Sequence, residues 1–424
     1  MRLSPTMWRP LRAHAASVFR LDHYSQFHPT AVTMKQYVDF GQSGNQAGSF
    51  LFLRKELLVR LANIMKEIQL LPQSLLNMSS GRLVQEWYIQ SFTDFLKYEQ
   101  SPVNDESLAG FSDTMRSVLD RHATVVETMA EALLEWKAAH GVEISTHENL
   151  QYFLDRFYLN RISIRMLMNQ HLTLFSSELP ESPGHVGVIH PDCDVVSHHS
   201  DAYHNAQFLC DRYYMMAPRL DIKGMNAKSP STPIRVQVVP SHLYHICFEL
   251  FKNAMRATVE HCSDGEFLTH SHDDLPPVVC TLVMADEDLS IRISDRGGGV
   301  PRSTVSRLFH YMYSTAPPPS SDAQTAPLAG YGYGLPLSRL YARYFHGDLQ
   351  VTSMEGLGTD AFVFLKSRPS EAQERVPIYG KKSIARLLHK KQALDYTERE
   401  ITPANGNNSS PNGGGSKKDR VVIG

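Results

Sequence analysis

Residues 242–261 read His-Leu-Tyr-His-Ile-Cys-Phe-Glu-Leu-Phe-Lys-Asn-Ala-Met-Arg-Ala-Thr-Val-Glu-His. At about 100° per residue, a helix through this stretch puts His245, Glu249, Lys252, Asn253 and Arg256 on one stripe. Leu243, Cys247, Leu250, Ala254 and Ala257 fall on the opposite side, where they can face a core. A base, an amide with a metal-binding oxygen and two cations share one wall, and glycine-rich segments follow downstream. That combination describes a nucleotide pocket better than a solvated surface.

The rest of the chain sets the frame. A length of 424 residues predicts two to three domains. The formal charge of −2 gives no chain-wide argument for nucleic acid or a membrane surface, and no run of about 18 apolar residues marks a transmembrane helix. Cys193, Cys210, Cys247, Cys262 and Cys280 are scattered and contain no Cys-x-x-Cys, which fits a reducing compartment better than a disulfide framework or a zinc ribbon. Near the N-terminus, Arg2, Arg9, Arg12 and Arg20 alternate with Leu3, Trp8, Leu11, Val18 and Phe19, and the first acid is Asp22. Residues 1–24 therefore have the composition of a mitochondrial transit peptide; a retained basic N-terminus is the alternative.

Residues 25–180 carry helical periodicity over Phe50–Leu71, Gly81–Tyr98, Ser112–His140 and Thr146–Phe175, the last with Thr146 at an N-cap position. Four long amphipathic segments predict a four-helix bundle. Pro180, Pro183 and two glycines break the period at 178–187, placing a domain boundary there. Over 188–370, Ile234–Val239, Val278–Met284, Leu289–Ser294, Leu349–Ser353 and Ala361–Leu365 read as strands, which predicts an α/β sandwich with a mixed sheet. Residues 316–329 are rich in Pro, Ser and Ala, and the 371–424 tail turns Asn/Gly/Ser-rich from about residue 402, a composition that predicts disorder. The stretch holding His198, His199 and His204 is polar and reads as a solvated loop rather than a metal site, since no cysteine is suitably spaced.

Three further segments carry chemistry. Asp295-Arg-Gly-Gly-Gly-Val-Pro follows a strand; its glycines permit a tight turn against a flat ligand, and Asp295 can accept from an exocyclic amine. Gly330-Tyr-Gly-Tyr-Gly-Leu-Pro precedes a helix-like segment, Leu335–Phe345, so successive backbone N–H groups can converge on phosphate oxygens. It is neither a Walker A loop nor a dinucleotide fingerprint. Gly358-Thr359 then offers a hydroxyl at a strand start. Each signal alone is weak; their order and spacing are not.

Glu-x-x-Lys-Asn-Ala, then Asp-x-Gly-x-Gly, then Gly-x-Gly-x-Gly, then Gly-Thr resembles the GHKL ATPase superfamily, whose members share the lidded Bergerat ATP fold. More closely, residues 242–260, 294–301, 311–317 and 333–345 are similar to the mitochondrial pyruvate dehydrogenase kinases. The helical half agrees at Met34-Lys-Gln, Leu61-Ala-Asn-Ile-Met-Lys-Glu and Phe153-Leu-Asp-Arg-Phe-Tyr-Leu-Asn-Arg. The resemblance implies a matrix serine kinase that uses ATP and Mg²⁺ to phosphorylate and inactivate the E1 alpha subunit of pyruvate dehydrogenase. It further implies binding to the lipoyl domain of the E2 acetyltransferase and assembly as a homodimer.

Carried over residue by residue, it makes Glu249 the general base with His245, one turn away, pairing with the carboxylate and orienting it. It assigns nucleotide contacts to Glu249, Leu250, Phe251, Lys252, Asn253, Ala254, Met255, Arg256, Asp295, Gly297, Gly299, Ser314, Thr315, Gly330, Tyr331, Gly332, Tyr333, Gly334, Leu335 and Thr359, with Asn253 on Mg²⁺. A lipoyl-domain pocket maps onto Val32, Tyr37, Phe40 and Phe52, where ordinary core aromatics are the competing reading. A regulatory pyruvate pocket maps onto Tyr88, Ser91, His122, Arg161 and Arg165. There Leu119 replaces a family arginine and cannot supply a bidentate clamp. Asp395-Tyr396 replaces the family's Asp-Trp, putting tail exchange between subunits in doubt. Branched-chain ketoacid dehydrogenase kinases are the near alternative. A protein histidine kinase of the same superfamily would need a phosphoacceptor box, and His147-Glu148 lacks its later proline. A catalytically idle lipoyl-binding module would have no need of Glu249, Asn253, Asp295 and the lid glycines together.

Overall fold

The computed structural model describes residues 19–176, 183–263, 275–314 and 331–388. Residues 1–18 of the 1–24 transit-peptide reading, the 316–329 segment, Thr315, Gly330, Asp395-Tyr396 and the tail from residue 389 lie outside the described residues.

The N-terminal half is helical: α1 (Met34–Ser43), α2 (Gln46–Ile68), α3 (Ser79–Leu96), α4 (Asp105–Arg121), α5 (Val125–His140) and α6 (Glu148–Phe175). Side-chain caps start several of these. Thr33 and Gln36 form a reciprocal capping box at α1, Asn45 accepts from Gly48 N at α2, and Asn104 accepts from Ser107 N at α4. The single helix expected over Ser112–His140 is two, because the chain breaks at 122–124. No glycine or proline marks the break. His122 is held there by tertiary contact, its Nε2 2.9 Å from Ser91 Oγ of α3. At the next junction a 3₁₀ turn, Ile144–Thr146, precedes α6, so its N-cap is His147 and not Thr146.

The C-terminal half is α/β. Strands β1 (His190–Asp194) and β3 (Arg235–Val238) form a separate antiparallel pair. The main sheet runs β2 (Leu220–Asn226), β4 (Val278–Met284), β5 (Asp288–Ser294), β7 (Gly358–Lys366) and β6 (Asp348–Met354), with β2 parallel to β4 and the other pairs antiparallel. It is mixed, as expected, but the strand around Ile234 belongs to the small sheet. Helices α7 (Val195–Tyr214) and α8 (Pro240–Ser263) pack together on one face of the main sheet, and α9 (Gly334–Tyr344) lies beside them. Val278, Cys280, Leu282 and Met284 alternate inward along β4 against this layer, each large apolar side chain contributing about 1.5–3 kcal/mol on full burial. The chain continues to a short helix, α10 (Lys381–Leu388), which packs on α6.

The histidine-bearing loop expected near residue 199 is α7. Asp194 caps it by accepting from Val196 and Ser197 N, and Val195, His199, Ala202, Tyr203, Ala206 and Cys210 form its buried stripe. His199 is fully buried, with Nδ1 2.6 Å from Val195 O and Nε2 3.2 Å from Cys247 Sγ. Burial lowers its pKa to about 4, so it is a neutral core residue.

The two halves share a core despite the boundary expected at 178–187. Val239, Tyr311, Tyr333, Leu340, Tyr344, Phe345 and Ala372 all pack into the bundle's hydrophobic cluster. A buried ionic network joins them. Arg60 of α2, 0 % exposed, donates Nε to Glu56 Oε1 at 2.8 Å and Nη2 to Glu374 Oε2 at 2.7 Å and Thr30 O at 2.8 Å. Tyr37 and Tyr344 both donate their hydroxyls to Glu374 Oε1. Two carboxylates and several fixed dipoles thus compensate one buried guanidinium, the condition under which such a charge is tolerated.

Candidate nucleotide site

One cavity of about 370 Å³ opens between α8, the sheet, the start of α9 and the bundle helix α5. Its polar wall is the stripe read from the sequence: His245, Glu249, Lys252, Asn253 and Arg256, joined by Glu260. Its apolar floor is Ile293, Val300, Val351 and Ala361, a slot suited to a flat aromatic ring. Asp295 and Thr359 stand beside that floor.

Asp295 is prepared as an acceptor. Its Oδ1 takes N–H bonds from Gly297 at 2.9 Å and Thr359 at 3.1 Å, so one oxygen is committed to the turn, and the other has no hydrogen bond among the described residues. Burial raises the pKa to about 6, against the pull of those two backbone bonds. The Thr359 hydroxyl lies 3.0 Å from Ser353 Oγ, which orients it. Gly297 packs where a Cβ would collide with Ala257 of α8, and Gly299, at φ +62°, where one would collide with Met354 O. Neither lines the cavity; both shape the turn that carries Asp295.

Glu249 differs from expectation. Its Oε1 accepts from Lys252 Nζ at 2.7 Å, and its Oε2 rests against Gly334, where a Cβ would collide with it. No hydrogen bond joins it to His245 among the described residues. His245 Nε2 is buried without a partner, and burial lowers the ring's pKa, Glu249 opposing and Lys252 assisting. The imidazole next to the carboxylate is therefore neutral and is held by packing. Asn253 lines the cavity with no hydrogen bond to its amide among the described residues, and Arg256 Nε donates to Glu260 Oε1 at 2.9 Å.

Other assignments separate. Leu250 and Ala254 reach the cavity edge, and Ala257, expected in the core, lines it. Phe251 and Met255 are fully buried in the core beneath the helix and do not reach the cavity, because at about 100° per residue those two positions fall on the face turned away from it. Ser314, Tyr331, Gly332, Tyr333, Gly334 and Leu335 do line it. Tyr333 has a second allegiance: its ring packs 5.7 Å from Tyr158 of α6 and 5.3 Å from Tyr311. Sequence reasoning missed Val126, Glu127 and Ala130 of α5, which close the cavity from the bundle side; no local motif marks a helix that contributes only across a domain junction.

The residues mapped onto a carboxylate pocket converge within the bundle. Tyr88 lies 4.7 Å from His122, ring to ring, Ser91 Oγ is bonded to His122, and Arg161 Nη2 donates to His122 O at 3.1 Å. Arg165 Nη1 reaches Leu119 O at 3.4 Å. Burial, then the charge of Arg161, lowers the Arg165 pKa, as befits two guanidinium groups one turn apart. Arg121, also missed, donates to Ser91 Oγ at 2.8 Å and pairs with Asp94 at 2.9 Å. The lipoyl mapping holds together less well. Phe40 and Phe52 are exposed, but Tyr37 is a core residue bonded to Glu374, so it is corrected from pocket to network.

Among the described residues no cluster of three or more His, Cys, Asp or Glu that could hold a metal ion is present. No described helix is long and apolar enough to cross a membrane. The α/β layer places a buried carboxylate, a glycine-rich turn and an amide-bearing helix around one cavity, and residues 238–369 match the family described as "Histidine kinase-, DNA gyrase B-, and HSP90-like ATPase". Residues 31–190 match "Mitochondrial branched-chain alpha-ketoacid dehydrogenase kinase". The Ascaris suum mitochondrial [pyruvate dehydrogenase (acetyl-transferring)] kinase is 56% identical over 388 residues, covering 92% of this chain and 95% of its own length. A probable kinase of the same name from Caenorhabditis elegans is 54% identical, covering 96% and 99%, and the human isozyme 4 is 49% identical, covering 91% and 93%. The chain belongs to the pyruvate dehydrogenase kinase family.

Proposed function

We propose that the chain is a mitochondrial protein serine kinase that transfers the γ-phosphoryl group of ATP to the E1 alpha subunit of pyruvate dehydrogenase and so switches the complex off. The observation that carries this reading is the single cavity joining Glu249, Lys252, Asn253, Asp295 and the lid residues. Asp295 and Thr359 would take the adenine edge and the lid N–H groups the phosphates. Asn253 would hold Mg²⁺, which would supply positive charge to offset that of the phosphates. Glu249 accepts the seryl hydroxyl proton as that oxygen bonds to the γ-phosphorus and the bond to ADP breaks. His245, neutral and one turn away, would orient the carboxylate as the catalytic hydrogen bonds tighten with substrate bound.

The same reading extends to a matrix location after removal of residues 1–24, a homodimer, a lipoyl domain gripped near Phe40 and Phe52, and pyruvate held by Arg161 and Arg165. It divides the chain into a helical regulatory domain, 25–180, and a kinase domain, 188–370. Purified protein with MgATP, E1 and E2 should give acid-stable phosphoserine on E1 alpha, and Glu249→Ala should abolish it. Acid-labile phosphate on the kinase itself, or full transfer by Glu249→Ala, refutes the reading. Preference for branched-chain ketoacid dehydrogenase, run side by side, would move it to the sister activity.

A further inference from the structure

A general base is only as well placed as the groups around it. Glu249 is flanked by His245, yet the imidazole Nε2 is buried with no hydrogen-bond partner. With no bond among the described residues to fix its plane, the imidazole depends on what packs against it. The ring that does so is Tyr341 of α9, 4.8 Å away between centroids and tilted by 55°. Tyr341 also meets His242, one turn earlier on α8, at 4.7 Å and 49°. His242 has its own orphaned atom, Nδ1, and burial lowers its pKa to about 3, so neither histidine carries charge near neutrality.

Tyr341 is itself well anchored. It packs against both hydrophobic clusters, the bundle's and the kinase domain's. One turn along α9, Tyr344 touches the His242 ring at 5.9 Å and gives its hydroxyl to Glu374. At its other end α9 begins at Gly334, the residue on which Glu249 Oε2 rests. The helix that follows the lid therefore contacts the base at its first turn and the base's partner two turns later. Tyr341 does not line the cavity and touches no reacting atom.

We propose that Tyr341 is a positioning residue for phosphoryl transfer, setting the plane of His245 and through it the orientation of Glu249. The proposal rests on the reading of His245 and Glu249 as the catalytic pair. Proton transfer to a positioned group contributes about 10²–10⁴-fold, and loose positioning forfeits part of it. Tyr341→Leu, which removes the ring, should lower kcat about tenfold while changing KM for ATP less than about twofold. Tyr341→Phe keeps the ring and should recover the rate to within about twofold of the parent. In a His245→Ala background, Tyr341→Leu should add less than about twofold, since there is no imidazole left to position.

Circular dichroism checks that each variant is folded, and Tyr341→Met, close to leucine in chemistry but longer, replaces Tyr341→Leu where that variant is unfolded. An unchanged kcat in the folded ring-deletion variant overturns the proposal. So does the full loss reappearing in the His245→Ala background, or an equal loss of ADP affinity, each of which marks a purely structural role. If His245→Ala alone leaves kcat intact, the catalytic-pair reading fails and takes the proposal with it; loss in His245→Ala but not in Tyr341→Leu defeats the proposal alone.

Discussion

Asp295→Asn should make the empty protein more stable and a worse nucleotide binder. Burial raises the Asp295 carboxyl from 3.8 to about 6. At about 1.36 kcal/mol per pH unit, keeping it ionised costs the ligand-free fold about 3 kcal/mol near neutral pH. Because the folded pKa is the higher one, the native state holds the proton more tightly, so stability falls as pH rises from about 4 through about 6. Asparagine keeps the oxygen that accepts from Gly297 and Thr359 and removes the buried charge. Those two bonds weaken when the acceptor is neutral, leaving a net gain of about 1–2 kcal/mol at pH 7.5. The price appears at the ligand: the Asn NH₂ faces an exocyclic amine, donor against donor, and ADP affinity should drop about ten- to a hundredfold. Urea denaturation of ligand-free protein at several pH values, beside calorimetric titration with ADP, measures both. The parent should lose stability between about pH 4 and 6 relative to the variant. A variant less stable than the parent at pH 7.5, or one binding ADP as tightly, refutes the assignment of Asp295 as a buried, charged acceptor held for the ligand.

Two shorter expectations follow from the fold. Glu374→Ala leaves Glu56 as the one carboxylate on the Arg60 guanidinium among the described residues, beside the Thr30 and Ser163 carbonyls, and leaves the Tyr37 and Tyr344 hydroxyls without their acceptor. Unfolding should cost about 3–5 kcal/mol less; a loss below about 1 kcal/mol in urea titration would mean that water relieves the network. Gly299→Ala introduces a Cβ at φ +62° aimed at Met354 O. It should destabilise by at least about 1–2 kcal/mol and weaken ADP binding by shifting the Asp295 turn, and a variant matching the parent in both thermal shift and ADP titration contradicts that geometry.

What the sequence made legible was what short-range chemistry encodes. Helix α8 declared itself because a polar stripe and an apolar stripe ran side by side at one period, and β4 because its apolar residues alternate. Three features escaped for physical reasons. Helix α7 was hidden because His199, an apparently polar residue, occupies a core position by bonding to Val195 O and Cys247 Sγ. Strand β2 was hidden because, at the sheet edge, it needs few apolar residues: its interior positions are all exposed. The break between α4 and α5 carries no breaker residue and exists because Ser91 and Trp87 capture His122 from another helix. In the site, treating residues 249–256 as a continuous contact run overreached at Phe251 and Met255, which point beneath the helix. The bundle's share of the cavity, Val126, Glu127 and Ala130, was invisible because nothing local records which distant surface a helix will face.

Tyr333 sits in two places at once: its backbone belongs to the glycine-rich lid, its ring to the core of the helical bundle beside Tyr158 and Tyr311. A ligand that moves Tyr333 on reshaping the lid would also disturb its packing on Tyr158 and Tyr311, and a ligand of the bundle that shifts α6 would act back on the lid. Thermodynamic reciprocity makes the two effects equal: whatever factor nucleotide imposes on a bundle ligand, that ligand imposes on nucleotide. Ligands of the two halves would therefore meet on one aromatic side chain.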